Sequence, residues 1–374
     1  MTNQVTVIFL LYNAEDTVRA LVDSALGQKS APESPPATIL FVDDCSKDRT
    51  LTVLKAYLEE KGNPKHIRWI SHEQNFGLSR TLNETFEALE TPYALTCHCD
   101  CFFGREDYVA QMVTLMDAHP EAATITGQPQ ISPTGRIPFA EKVSLTENLM
   151  DIFQKPIPPG VSPEQWVIPV GFAEGRCDIF RKSALQAVGY YDTTVRLSGE
   201  DQLIAARMRQ KGFAIYQAPA MPYTLSVSDS QNSTWKLLKH QHLLARTSPY
   251  VMFKNRETLQ GMVGETAGNN RKKRTLLRLH HLFSSVVYCW LALFMILGLS
   301  PQHRAFWIPL LLVIAIKAWL FADHCPATRM KPLDLAGFAL LQPPFDLIYT
   351  VGFTQGLYAT ALLKIFPDRK HTIQ

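Results

Sequence analysis

Buried strand patterns and helix patterns alternate along the first hundred residues, and this alternation constrains the fold more than any other feature. Apolar runs of strand length are separated by segments whose apolar residues recur at helical spacing. Strands without a polar side belong in parallel sheets covered by helices on both faces, so we predict an α/β fold with a mostly parallel sheet. The predicted strands are Val5–Tyr12, Ile39–Val42, Ile67–Ser71 and Tyr93–Cys97, and the predicted helices are Ala14–Leu26, Leu51–Lys61 and Ser79–Leu89.

Polar side chains follow each of the four strands at the point where the strand stops. Parallel sheets of this kind bind ligands beyond the carboxyl ends of their strands, so these groups predict one binding site at that edge. Asn13 is also well placed to cap the first helix. The four groups are Tyr12-Asn13, Asp43-Asp44, Asn75-Phe76-Gly77 and His98 to Asp100.

The fourth strand runs into an unusually crowded stretch, LTCHCDCFFG. Side chains alternate along a strand, so Cys97, Cys99 and Cys101 are expected on one face and His98 with Asp100 on the other. The cysteines lack the second Cys-x2–4-Cys pair of a structural zinc site, which predicts buried free thiols. The imidazole and the carboxylate could jointly hold a divalent cation or a charged ligand, or they could cap a turn.

The C-terminal third is apolar enough to predict membrane segments. A span needs about 20 apolar residues, and three stretches approach that length. A proline pair in the third stretch could make it broken or re-entrant, so the number of segments, three or four, stays open. The stretches are Leu282–Ser300, Ala305–Ala322 with Lys317 inside it, and Leu335–Leu363 with Pro343-Pro344 and Asp346 inside it.

The charge distribution bears on location and on partners. A net charge of +3 is too small to suggest nucleic-acid binding. The dense basic run Arg271-Lys272-Lys273-Arg274 precedes the first apolar stretch, which predicts that the N-terminal domain faces the cytoplasm. We therefore expect a multi-pass protein of the plasma (inner) membrane with the lipid bilayer as a partner.

The ordered motifs from Val5 to Ala218 resemble those of the family 2 glycosyltransferases. The segments that carry the resemblance are Tyr12-Asn13-Ala14-Glu15, Val42 to Asp48, Asn75-Phe76-Gly77, Phe180-Arg181, Gly189 to Asp192, and Gly199-Glu200-Asp201 with Arg207. The family's second-strand pattern V-D-D-G-S-x-D is altered only at Cys45. Its D-x-D pattern aligns with His98-Cys99-Asp100, where the first carboxylate is replaced. The family has the nucleotide-sugar-binding fold called GT-A.

The resemblance implies a donor site and a divalent cation, Mn²⁺ or Mg²⁺. The cation would neutralise the diphosphate leaving group, with Asp100 and His98 as ligands. His98 weakens the expected dependence of the reaction on a divalent cation, because an imidazole carries no charge and could instead donate a hydrogen bond to a phosphate. Asp43 would accept hydrogen bonds from the base. The implied donor-binding residues are Leu11, Tyr12, Asn13, Glu15, Asp43, Asp44, Asn75, Gly77 and Asp100.

The resemblance also implies an inverting transfer in which a carboxylate takes the proton of the acceptor. Asp201 with Glu200, at the start of a predicted helix, fits that base; both could instead be ordinary acids of a helix N-terminus. Processive members of the family carry Q-x-x-R-W, whereas Gln241 to Arg246 reads QHLLAR and is followed by Thr247. The pattern therefore favours transfer of one or a few sugars.

These observations together predict a membrane-associated hexosyltransferase of cell-envelope glycan synthesis. Its acceptor would be a lipid-linked glycan, a polyprenyl phosphate or a glycolipid. The alternatives are a catalytically impaired nucleotide-sugar-binding protein and a nucleotidyltransferase. The predicted organisation is a GT-A domain at 1–232, an interfacial amphipathic segment at 233–280, a transmembrane region at 281–366 and a tail at 367–374.

Overall fold

The structure is a computed structural model of the 374-residue chain. It divides into two compact units, one of Met1–Thr134 with Gln154–Ser226 and one of Gly135–Phe153 with Val227–Gln374. The residues that it describes are 4–30, 35–131, 139, 142–143, 146, 157–173, 175–195, 199–225, 233–254, 270–296, 304–322, 325 and 330–365.

The first unit begins with the predicted alternation of strands and helices. Each predicted strand and helix of the first hundred residues is present, and the bounds differ by a few residues. The elements are β1 (Val5–Leu11), α1 (Val18–Leu26), β2 (Thr38–Asp43), α2 (Thr50–Glu60), β3 (Ile67–Ser71), α3 (Leu78–Glu87), β4 (Tyr93–His98), β5 (Cys101–Phe103), α4 (Tyr108–Ala118), β6 (Ala122–Ile131), β7 (Ile168–Pro169), β8 (Cys177–Arg181), α5 (Lys182–Val188), α6 (Glu200–Gln210) and β9 (Ala214–Leu225).

All nine of these strands join one sheet, in the order β3-β2-β1-β4-β8-β6-β9-β5, with β7 paired to β9. The first four strands pair in parallel, as predicted. The strand β8 then pairs antiparallel with β4, and it separates β4 from β6. The four parallel strands therefore end at a common edge, which is where the polar groups of the sequence lie.

The core of this unit lies against the sheet. Ile8 and Leu10 of β1 are buried in a cluster with Phe86 of α3, Leu185 of α5 and Met208 of α6. The intervening residues of β1 are buried as well, and the Phe9 ring stacks on Phe41 with centroids 4.9 Å apart. Because β1 is buried along its whole length, its sequence is apolar at every position rather than at every second one.

One helix start differs from the prediction. We expected α1 to begin at Ala14 with Asn13 as its cap, but it begins at Val18 after Thr17. Asn13 lies at φ +52°, and its side-chain oxygen accepts the backbone N–H of Lys47 instead. The N–H groups of Ala14 and Glu15 donate to side chains that follow β2, so this segment does not join the helix.

The second unit is helical where it is described. Its long helices are α7 (Thr234–Lys254), α8 (Asn270–Ile296), α9 (Arg304–Phe321) and α10 (Pro332–Ile365). The pair Pro343-Pro344 does not break α10, which continues through both residues. Within the described part of the chain, none of the helices combines the length and the apolarity needed to cross a membrane.

The helix α7 packs on α10 at two glycines. A Cβ atom on Gly352 would lie 2.5 Å from the carbonyl oxygen of His242, and one on Gly356 would collide with the carbonyl of Arg246. Side chains larger than glycine at these two positions would force the helices apart. The amphipathic pattern of this segment fits either packing on protein or lying at a membrane interface, and α7 has a protein partner along these contacts.

Candidate functional site

The loops after β1 and β2 are tied together by hydrogen bonds. The N–H of Asn13 donates to the Ser46 hydroxyl at 2.9 Å, and the N–H of Ala14 donates to the Thr50 hydroxyl at 2.7 Å. The N–H of Glu15 donates to the Asp48 carboxylate at 3.1 Å. The serine and aspartate of the second-strand motif therefore fix the shape of the first-strand loop.

Glu15 is an ionic partner within these loops. Its carboxylate accepts the Arg49 guanidinium at 2.9 Å and the Arg49 backbone N–H at 3.1 Å. These hydrogen bonds lower the pKa of Glu15. The side chain of Leu11 is buried, whereas Tyr12 is 46% exposed at the same edge. Of the predicted donor residues on this loop, Tyr12 and Asn13 are exposed, and the Tyr12 ring is open to a ligand.

Asp43 ends β2 with a side chain only 3% exposed. One carboxylate oxygen accepts both the hydroxyl (2.5 Å) and the N–H (3.3 Å) of Ser46. The other accepts the Ser71 hydroxyl at 2.9 Å, from the residue opposite Asp43 in the parallel register. Asp43 thus lies at the predicted edge, and a base contact from it stays a prediction.

Asp44 organises the loop before α3. Its carboxylate accepts the N–H groups of Phe76 and Gly77, each at 2.8 Å, and contacts the His72 ring nitrogen at 3.1 Å. Its backbone carbonyl accepts the Asn75 side-chain amide at 3.1 Å. The structure therefore brings Asn75 and Gly77 to the same edge as Asp44, with Gly77 at φ +79° ahead of the helix.

The register across the sheet sets the distance between the two acidic motifs. Leu11 of β1 lies opposite Asp43 of β2, and Leu10 lies opposite His98 of β4. Neighbouring strands are about 4.8 Å apart, so Asp43 and His98 are separated by about 10 Å across β1. That separation fits the length of a nucleoside diphosphate that lies across the edge.

The alternation predicted along the fourth strand ends at His98. Residues 99 and 100 form a turn before β5, so the prediction of three cysteines on one face fails after Cys97. The backbone of Tyr12 forms a hydrogen bond with the Cys99 thiol. Asp100 is partly exposed, and the Cys101 thiol donates to its carboxylate at 3.4 Å.

The buried thiols form a cluster beneath this turn. The sulfur atoms of Cys97 and Cys177 are 3.4 Å apart, and the Cys97 thiol donates to the carbonyl of Cys101. Burial raises the pKa of Cys101 to about 12 and raises the pKa of Cys177 well above its ordinary value. Cys97, Cys101 and Cys177 are buried free thiols, as the interpretation of these cysteines as core residues expects.

His98 is the less ordinary member of the predicted cation site. Burial lowers the pKa of its imidazole; Asp100 opposes this shift and Arg176 adds to it. Its Nε2 atom is shielded from solvent and has no hydrogen-bond partner among the described residues. A neutral imidazole with an orphaned nitrogen fits either a metal ion or a phosphate oxygen as its missing partner.

The turn before β8 brings the predicted base to the same place. Gly175 has φ +74°, and a Cβ atom on it would lie 3.9 Å from the Cβ of Asp201. The next residue, Arg176, accepts the N–H of His98 through its carbonyl oxygen at 3.0 Å. One turn therefore lies beside both the end of β4 and the start of α6.

Glu200 and Asp201 occupy different environments at the start of α6. Glu200 is 8% exposed, its Oε2 atom has no hydrogen-bond partner within the described chain, and burial raises its pKa. Asp201 is partly exposed and accepts the N–H of Gln202 at 2.7 Å. The more open carboxylate is thus the one beside Gly175.

The sequence interpretation missed several residues that the site uses. Ser71 could have been found, because it ends the third strand and parallel strands end together. Arg176 could not, because its neighbours are set by the pairing of β8 with β4. Asp178, fully buried on β8, accepts the N–H of Gly175 at 2.7 Å and holds the turn that carries Arg176.

The helical unit contains a separate buried polar cluster. Asp346 accepts Lys317 at 2.9 Å and His281 at 2.7 Å on one oxygen, and Tyr288 at 3.1 Å on the other. His280, His281 and Asp346 are close enough together to be metal ligands. The ammonium group of Lys317 already neutralises this carboxylate, so the cluster is an ion pair within the helices. In the sequence, Lys317 lies inside the second apolar stretch and Asp346 inside the third.

The family of the first unit can be identified from its sequence. A model described as Glycosyl transferase family 2 matches residues 6–189. This part of the chain is a family 2 glycosyltransferase domain. Its mostly parallel α/β sheet agrees with the GT-A fold that the motifs predicted. The match ends before Glu200 and Asp201, so it does not test the predicted base.

The chain is similar to curated proteins from two species. It is 23% identical over 231 residues to the poly-beta-1,6-N-acetyl-D-glucosamine synthase of Staphylococcus epidermidis, covering 61% of this chain and 52% of that protein. The synthase of Staphylococcus aureus strain MSSA476 is 22% identical over 236 residues. The chain thus spans about half the length of the curated relatives it matches.

Solved structures resemble the glycosyltransferase at lower identity. A mannosyltransferase from Pyrobaculum calidifontis in complex with GDP-Man and Mn²⁺ is 14% identical, with a TM-score of 0.49 over 99% of this chain and 89% of that one. S. aureus TarS 1–349 in complex with UDP-GlcNAc is 16% identical, with a TM-score of 0.44 over 94% and 92% of the two chains.

Proposed function

We propose that this glycosyltransferase moves a sugar from a nucleotide-sugar donor to a membrane-associated acceptor, with inversion at the anomeric carbon. The observation that carries the proposal is that the turn of Gly175 and Arg176 lies beside Asp201 and is hydrogen-bonded to the end of β4. It puts a partly exposed carboxylate beside the strand end that would hold the diphosphate. An acceptor oxygen that enters at Asp201 would face the bond between the anomeric carbon and the diphosphate, which breaks in the transfer.

Asp43, Tyr12 and the loop held by Asp44 would bind the nucleoside. This assignment is supported by their common edge and by the exposure of the Tyr12 ring. Stacking on Tyr12 and hydrogen bonds near Asp43 would orient the base, and the diphosphate would then extend across β1 toward His98.

A divalent cation fits Asp100 and His98. The carboxylate of Asp100 accepts a weak hydrogen bond from the Cys101 thiol, and the Nε2 atom of His98 has no hydrogen-bond partner among the described residues. A bound ion would supply Lewis-acid stabilisation of the leaving diphosphate. The chain's own residues would orient the donor and remove the acceptor proton, with Asp201 as the base and the buried Glu200 beside it shaping the local charge.

Association with a membrane is supported by exposed apolar side chains on α9. Ile308, Leu311 and Ile314 are each more than half exposed, and they recur every three residues on one side of the helix. A surface of this kind binds lipid or another protein. We propose a lipid surface on the cytoplasmic side of the plasma membrane, where a lipid-linked acceptor would be presented for addition of one or a few sugars.

The test begins with the purified full chain and a panel of UDP- and GDP-sugars, with and without Mn²⁺. One donor should raise the melting temperature and support transfer to lipid-linked acceptors. Asp201→Asn should retain donor affinity and lose about 10²- to 10⁴-fold in transfer rate, the usual contribution of a general base. Asp16→Asn, an exposed residue of the first-strand loop, is the control and should transfer at the wild-type rate.

Two results would contradict the proposal. Full transfer activity in Asp201→Asn would remove that carboxylate from the reaction. For the membrane surface, the full chain should float with anionic lipid vesicles, and Leu311→Asp should weaken flotation. Equal flotation of the variant and the wild type would rule out α9 as the lipid contact.

A further inference from the structure

Arg176 lies beside His98 because of the sheet register. Cys97 and Cys177 are opposite each other in the antiparallel pair, and the N–H of His98 donates to the carbonyl of Arg176, which makes these two residues the next opposite pair. Opposite residues of neighbouring strands present their side chains on the same face, with Cβ atoms about 4.5–5.5 Å apart. The thiols of Cys97 and Cys177 contact each other, so His98 and Arg176 share the other face.

Arg176 lies beside the turn that follows β4, because it is opposite His98, the last residue of that strand. On the other side of Arg176, a Cβ atom on Gly175 would lie 3.9 Å from the Cβ atom of Asp201, and the Asp178 carboxylate accepts the Gly175 N–H. The backbone of Arg176 is therefore held between the predicted diphosphate position and the predicted base.

The local charges leave a role for a permanent cation. The leaving group is a diphosphate, and the motif that would bind its metal ion has one carboxylate, Asp100, with the imidazole of His98 in place of a second carboxylate. A site with one carboxylate binds a hard divalent cation more weakly than a site with two. Arginine stays charged at any working pH, and its planar fork pairs with phosphate oxygens through two hydrogen bonds.

We propose that Arg176 binds the diphosphate of the donor directly, so that donor affinity persists when divalent cations are removed. The inference rests on the proposed function, since it assigns a residue to that donor site. Binding of the leaving group is then shared between a side chain of the protein and a weakly held ion.

The experiment compares diphosphates with their parent nucleosides by calorimetry on the full chain. UDP, GDP, uridine and guanosine are titrated in Mn²⁺ and in EDTA. For the diphosphate that the wild type binds, affinity should survive EDTA, and Arg176→Ala should lose about tenfold or more of it in EDTA. Affinity for the matching nucleoside should not change. Arg176→Lys should recover part of the loss, because it restores the charge without the fork.

The control is Arg19→Ala, which removes an exposed arginine that pairs with Glu60 on the surface of α1 and α2. It should bind both ligands as the wild type does. Equal diphosphate affinity in Arg176→Ala and the wild type would overturn the proposal, and so would equal losses of diphosphate and nucleoside affinity. A wild type that binds no diphosphate and transfers no sugar would instead overturn the proposed function itself.

Discussion

The substitution Asp44→Asn tests how the loop that carries Asn75 is held. The Asp44 carboxylate is buried and accepts two backbone N–H groups, from Phe76 and Gly77, at 2.8 Å each. An asparagine has one acceptor oxygen, so its amide group must face one of these donors. The loss of one hydrogen bond to a charged acceptor costs about 1.5–3 kcal/mol, and we take about 2 kcal/mol for the opening of this loop.

A cost of about 2 kcal/mol corresponds to roughly thirtyfold faster local opening. Hydrogen exchange followed by mass spectrometry on peptides covering residues 72–80 should show this acceleration in the intact chain. Local exchange is a better measurement than global unfolding here, because a chain of two units need not unfold in one step. Donor affinity should fall in parallel, since the loop faces the donor site.

The control for this prediction is Asp16→Asn on the exposed part of the first-strand loop. It removes a carboxylate of the same size and should leave exchange in residues 72–80 unchanged. If Asp44→Asn also leaves exchange at Phe76 and Gly77 unchanged, the hydrogen bonds of Asp44 do not hold the loop, and the reasoning fails.

Three further predictions concern the same edge of the sheet. Burial holds the pKa of Glu200 above 4.5, so the folded protein favours the protonated carboxyl. The contribution of Glu200 to stability is therefore greatest below pH 4.5 and is lost as the pH rises through the folded pKa. Glu200→Gln should match the wild type in melting temperature near pH 4 and exceed it at pH 8, and parallel curves would refute this. Cys45 lies at φ +59°, where a side chain costs about 1 kcal/mol. Cys45→Gly should therefore change the free energy of unfolding by less than about 1 kcal/mol, whereas Cys45→Val should lower the melting temperature clearly. Asp43→Ala should weaken nucleotide affinity about tenfold or more by calorimetry, whereas Ser71→Ala, which keeps the carboxylate, should weaken it much less; equal losses would mean that Asp43 only anchors the loops.

The position of Cys45 also explains one departure from the family pattern. Glycine is the residue that adopts a left-handed backbone without strain, and the chain keeps that backbone with a cysteine in its place. The thiol contacts the carbonyl of Glu73 at 3.4 Å and the Lys47 ammonium at 3.3 Å. Lys47 is on the same loop as Cys45 and Glu73 is on the loop after β3, and these contacts offset part of the conformational cost.

Much of the fold could be predicted because its signals are local. The strands β1 to β4 are apolar over the length of a strand, and the helices between them have apolar residues on one side. A parallel sheet puts the ends of such strands at one edge, so the grouping of Asp43, Asp44, Asn75 and His98 followed from the order of elements alone. The start of α1 could not be predicted from its own residues, because Ser46 and Thr50 of another loop hold the segment before it.

By itself, the sequence determined the alternation of strands and helices, the edge at which the polar motifs meet, and the family to which residues 6–189 belong. Only the tertiary structure decided that Arg176 lies beside His98, that Gly175 lies beside Asp201, and that Lys317 pairs with Asp346. The physical reason is range: periodicity and turn chemistry act over a few residues, whereas these contacts join residues 26 to 78 positions apart in the chain through strand register and helix packing.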